Sequence, residues 1–244
     1  MRVMSKLSPL AVAVSLGVSA LAAPVAVNAE TSASIAASNF YLWRGQNLNV
    51  NGGAAFSGSL DYNHESGLYA GVWTSSEGGA PDGSDEEDFP NPRAAGNSEY
   101  DLYVGYAGEA GSLGYDVSLW SYEYPEAAGP VSYGDASELI IGLSMADFSF
   151  TLYDSLQGGN SYIYYTLGYS YDKFGVTLGT WSFDNEDLTK DHKDYSSEYQ
   201  HLDLSFAATD EVTFTLSKVI NDDDETTGDT DTLINVSWSK SFDL

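Results

Sequence analysis

The sequence predicts an all-β protein, an antiparallel up-and-down transmembrane β-barrel of about twelve strands. Three observations carry this expectation. Apolar and polar residues alternate with a period of two from Ser32 onward, as they do in strands with two unlike faces. The connections between the alternating segments are by turns short and long, the asymmetry of barrels that cross an outer membrane. The segments run to about ten residues, enough for a tilted strand to cross a hydrocarbon core of about 30 Å. A soluble β-sandwich, the competing architecture, uses strands nearer five or six residues.

Taken in order, the chain opens with Arg2 and Lys6, an apolar run from Leu10 to Ala23, and the small-residue stretch Val27-Asn28-Ala29. This pattern predicts a signal peptide over 1–29, cleaved after Ala29. The 215 residues that remain, 30–244, suit one domain, the barrel. They hold no apolar stretch long enough for a spanning helix, so membrane entry requires a closed barrel that satisfies every backbone group. The twelve expected strands are 33–43, 54–64, 67–76, 98–109, 112–123, 136–146, 148–156, 160–172, 174–183, 197–209, 211–220 and 231–243. Glu65-Ser66, Ala110-Gly111, Asp147, Lys173 and Asp210 mark tight turns, and longer, acidic connections such as 77–97 and 184–196 intervene. Loop 77–97 is free, on sequence grounds, to fold inward or to stay outside.

Without its leader the chain has seven basic residues against 36 acidic ones, a net charge of −29. Nucleic acid is excluded as a partner, because phosphate binding needs a basic surface. The chain contains no cysteine, which removes disulfides and thiolate chemistry, and no pattern calls for a cofactor. Eighteen Tyr, ten Phe and five Trp fit girdles at two membrane interfaces. The end, Ser237-Trp238-Ser239-Lys240-Ser241-Phe242-Asp243-Leu244, is similar to the C-terminal signal through which such barrels meet the barrel-assembly machinery. The location expected is therefore the bacterial outer membrane, with lipid, lipopolysaccharide and small solutes as partners.

Several runs carry a family resemblance. Ser38-Asn39-Phe40-Tyr41-Leu42-Trp43-Arg44-Gly45, Gly58-Ser59-Leu60-Asp61-Tyr62, Gly67-Leu68-Tyr69-Ala70-Gly71-Val72-Trp73 and Glu99-Tyr100-Asp101-Leu102-Tyr103-Val104-Gly105-Tyr106 resemble the TorF family of proteobacterial outer-membrane porins, whose substrate is uncharacterised. The resemblance covers about the first half of the mature chain. It implies a porin-like channel and transfers no solute.

Selectivity in such a pore comes from inward charges. With the oily face turned to lipid, parity places Asp61, Glu99, Asp101, Asp116, Glu138, His201 and Asp203 inside, with Tyr103, Trp120, Tyr122, Tyr153, Trp181 and Tyr165 narrowing the passage. Rings of carboxylates predict passive diffusion of small cationic or neutral solutes; the alternative is a closed structural or adhesive barrel whose acids only hydrogen-bond across the interior. Arg44 is expected at the end of the first strand, either opposing the lumen acids or pairing with an acid or lipid phosphate at the rim. Asp82–Asp88 and Asp222–Glu225 lack the spacing of a calcium loop, so no metal site is expected. His64, His192 and His201 stand in no catalytic arrangement, and the chain is not expected to be an enzyme.

Overall fold

The computed structural model describes residues 29–48, 53–80, 94–124, 136–156, 162–185, 195–222 and 231–244. None of these is helical. They form β1 (Glu30–Ser38), β2 (Leu42–Trp43), β3 (Gln46–Asn47), β4 (Ala55–Asn63), β5 (Leu68–Ala80), β6 (Ala94–Ala110) and β7 (Leu113–Glu123). There follow β8 (Ala136–Met145), β9 (Phe148–Ser155), β10 (Tyr162–Tyr171), β11 (Phe174–Asn185), β12 (Tyr195–Ala207), β13 (Val212–Asp222) and β14 (Leu233–Asp243). Twelve of them close into an antiparallel up-and-down barrel in which each strand pairs with its chain neighbours and β1 closes against β14, with Ser32 opposite Asp243 and Ser38 opposite Ser237. Closure leaves no edge with unpaired backbone groups.

The short connections fall at His64–Gly67, Gly111–Ser112, Ala146–Asp147, Asp172–Lys173 and 208–211, where the turn chemistry placed them. At the last of these, Glu211 accepts from Lys240 Nζ at 2.9 Å and from the Trp238 indole at 3.2 Å. Those bonds hold its carboxyl below the usual carboxylate range. The expected loop 77–97 is shorter than its sequence suggested, since β5 and β6 continue to an Ala80–Ala94 pairing through two register shifts; 81–93 lies outside the described residues. So do the expected leader, apart from Ala29, and His192.

The two faces of the wall differ as the alternation demands. Phe56, Leu60, Val104, Leu119, Leu167 and Leu216 point outward and are exposed, whereas Asp116, Ser118, Tyr153, Tyr164, Trp181 and Thr215 point inward and are buried. Tyr165, expected inside, faces outward; its neighbour Tyr164 takes the inner position. Both residues are tyrosine, so alternation alone had no contrast with which to choose.

The main departure lies in the first strand. It ends at Ser38, five residues before the expected Trp43. Ser38 Oγ donates to the Phe40 carbonyl, and Asn235 Nδ2 donates to the same carbonyl at 2.9 Å. The chain thereby leaves the wall and enters the lumen as a strap over Asn39–Leu48. Within it β2 and β3 form a two-residue hairpin, Leu42 opposite Asn47 and Trp43 opposite Gln46. Arg44 (φ 48°) and Gly45 (φ 83°) form its apex, the conformation that a tight I′ hairpin turn requires at both central positions. Arg44-Gly45 meets it with one residue suited to positive φ.

Candidate functional site

The strap crosses the barrel from one wall to the other. At one side Tyr41 and Leu48 are buried with Ala55 of β4 and pack against Trp73 of β5; the Tyr41 and Trp73 rings lie 6.0 Å apart. The two buried acids of β6, Glu99 and Asp101, stand here, and Tyr124 Oη donates to Glu99 at 3.1 Å. At the other side Arg44 enters a pocket built by five consecutive strands. Its Nη2 lies 2.6 and 2.8 Å from the two carboxylate oxygens of Glu138 on β8. Both side chains are almost wholly buried, at 2% and 1% exposure.

Glu138 is further supplied by Tyr122 Oη at 2.5 Å and Tyr162 Oη at 2.7 Å, so three donors from separate elements converge on one carboxylate. A buried charge requires such compensation. The guanidinium carbon stands 4.5 Å from the Trp43 ring, 4.7 Å from Tyr153, 4.6 Å from Tyr164 and 5.1 Å from Trp181. These distances suit cation–π attraction. They also give the faces of the guanidinium a favourable surface where Nε and Nη1 have no hydrogen-bond partner among the described residues.

The apex backbone is fixed too. Tyr199 Oη of β12 donates to the Arg44 carbonyl at 3.0 Å and accepts from Gln46 Nε2 at 2.9 Å. Below it, His201 Nε2 is 2.8 Å from Tyr164 Oη, and its Nδ1 is 3.0 Å from Asp203. Gly45 sits directly over this histidine, where an added Cβ would lie 2.5 Å from His201 Cγ. Gly45→Ala therefore combines a steric collision with a positive φ that costs about 1–3 kcal/mol for a residue bearing a Cβ. We expect its urea midpoint in detergent to fall accordingly; an unchanged midpoint would mean that the strap does not rest on His201.

The remaining acids lie toward the short-turn end. Asp116 of β7 accepts from Tyr69 Oη at 2.8 and 3.0 Å. Asp61 of β4 accepts from Ser59 at 2.6 Å and from Tyr103 Oη, whose ring stacks on Trp120 at 4.2 Å. Seven of the eight candidates thus face the interior from the wall in two tiers. Glu99, Asp101 and Glu138 lie toward the long-connection end, and Asp61, Asp116, His201 and Asp203 below them. Arg44 is not at the end of a strand but at the tip of the strap, inside.

Sequence reasoning missed Tyr41, Trp43, Tyr162, Tyr164 and Tyr199 as parts of this site. Trp43-Arg44-Gly45 was the available signal, because a glycine after two bulky residues permits a turn. Within 33–43 the parity is ambiguous, Ser34 and Ser38 turning Phe40 and Leu42 inward, and this points to a bulge in the strand; the structure has the chain leave the sheet instead.

The model of the family Gcw_chp, described as a bacterial protein of unknown function, matches residues 22–235, and the chain belongs to that family. No curated protein matches it.

Proposed function

We propose that this Gcw_chp member is an outer-membrane barrel of porin type, similar to the TorF porins, through which small cationic or neutral solutes diffuse passively. On this reading 1–29 is a signal peptide, 30–244 is the barrel, and the protein is not an enzyme. The apolar outward face supports membrane insertion, since Leu60, Val104 and Leu167 would otherwise be left in water around a full ring of strands.

One observation carries the solute class. Among the described residues the inward acids are Asp61, Glu99, Asp101, Asp116, Glu138 and Asp203, whereas the lysines are exposed and Arg44 is already paired with Glu138. Excess carboxylate attracts cations and repels anions. On this reading solutes run beside β1 and β4 at the short-turn end, where the inward Ser32, Ser34, Ser59 and Asp61 are small or acidic and half-buried, with Ser34 and Ser59 hydrogen-bonded at 2.8 Å; farther along, Ala36 and Ala55 meet the strap.

Recording from the refolded mature chain in a planar bilayer under a salt gradient tests this. Discrete steps with a reversal potential of cationic sign are expected. Anion preference would sink the carboxylate argument. Silence from verified folded barrels would favour the second reading, a closed structural or adhesive barrel, to which the nearly complete burial of Glu138, Tyr164, Tyr199 and His201 lends support.

A further inference from the structure

We propose that the cage of Glu138, Tyr153, Tyr162, Tyr164 and Trp181 is a binding site for a guanidinium-class cation, and that Arg44 is its tethered occupant.

The cage belongs to the wall, not to the strap. Glu138 comes from β8, Tyr153 from β9, Tyr162 and Tyr164 from β10, and Trp181 from β11. Its members brace one another without help from Arg44. The Tyr162 and Trp181 rings stack at 4.2 Å, the Tyr153 and Tyr164 rings lie 5.3 Å apart, and Tyr122 and Tyr162 hold the carboxylate from two sides. Withdrawal of Arg44 would leave a preformed aromatic box closed at one side by an unpaired carboxylate. Aromatic faces and a buried carboxylate together select a cation. A planar cation is favoured over a compact ammonium, because one terminal nitrogen reaches both Glu138 oxygens while the faces of the delocalised group rest on the Tyr153, Tyr164 and Trp181 rings.

The position suits exchange. Glu138 is two residues inside β8 and Tyr162 opens β10, so the cage adjoins the barrel end that carries the long connections. The occupant is also held in a backbone conformation that disfavours it, since Arg44 has φ 48°; strain of this kind accumulates at functional sites. A free cation competes with a tethered one of high effective concentration, so the intact protein should bind weakly and the protein without Arg44 strongly.

The test uses n-propylguanidinium, which reproduces the Arg44 side chain, added to the refolded mature barrel in detergent. Tryptophan fluorescence and thermal unfolding are the readouts. For Arg44→Ala we expect saturable binding with a Kd on the order of 1 mM and a concentration-dependent rise in Tm. Wild type should bind at least about tenfold more weakly, equal concentrations of urea should be without effect, and Arg44→Ala/Glu138→Gln should lose the binding. If Arg44→Ala fails to refold, Arg44→Gln, which keeps an N–H donor toward Glu138, takes its place with the same expectations. Binding by the variant no tighter than by wild type, or binding that survives Glu138→Gln, would overturn the proposal. Neither readout depends on conduction, so failure here is distinguishable from failure of the pore reading.

Discussion

Glu138→Gln should lower the stability of the folded barrel by about 3–5 kcal/mol, because it removes the carboxylate paired with a guanidinium buried among aromatic rings. The substitution keeps the size of the side chain; Tyr122 and Tyr162 donate to separate oxygens of Glu138, at 2.5 and 2.7 Å, so the amide oxygen keeps one of them and the other hydroxyl can turn to accept from the new amide N–H. The loss therefore reports chiefly on the stranded Arg44. Replacing both partners, as Arg44→Met/Glu138→Gln, should recover much of it, since no buried charge is then left unpaired. Urea unfolding of the four proteins in detergent closes the cycle. A loss under about 1 kcal/mol for Glu138→Gln would mean that the pair is solvated, and that Arg44 lies outside the lumen.

Trp181→Ala should have an effect of similar size, about 3–5 kcal/mol, for a different reason. The indole is 3% exposed and is the ring on which several others rest. Trp43 meets it edge-on at 5.4 Å, Tyr162 stacks on it at 4.2 Å and Tyr199 at 5.9 Å. Its removal takes away the surface that joins strap to wall and opens a cavity beside Arg44, which neighbouring strands cannot collapse to fill because barrel closure fixes their spacing. Trp181→Phe should restore a large part. Equal losses for Ala and Phe would show that the ring makes no packing contact of consequence.

The barrel was legible because its two faces meet different surroundings and the residues record the difference. Leu102, Val104 and Tyr106 on β6 alternate with Asp101, Tyr103 and Gly105, and the parity alone turned Asp101 and Glu99 inward, where the structure has them buried. Turn positions were legible for the same local reason. What alternation could not register was a segment that leaves the sheet. Residues 39–48 keep an aromatic and apolar pattern because they are buried against the inner wall, and burial on that side looks like contact with lipid on the other. The tyrosines of β10 failed for want of contrast, since Tyr164 and Tyr165 share one chemistry and differ only in the face they occupy. The Arg44–Glu138 pair spans 94 positions, and no local pattern announces a partner at that distance.

The account turns on the strap, and one comparison tests it most directly. Single-channel conductance should be measured for the wild type and for a variant in which Asn39–Leu48 is replaced by a Gly/Ser linker of equal length. Removal of Tyr41, Trp43 and Arg44 from the lumen predicts a several-fold larger conductance with cation preference retained, since the wall carboxylates stay in place. Unchanged conductance from folded barrels of both kinds would contradict a lumen spanned by residues 39–48.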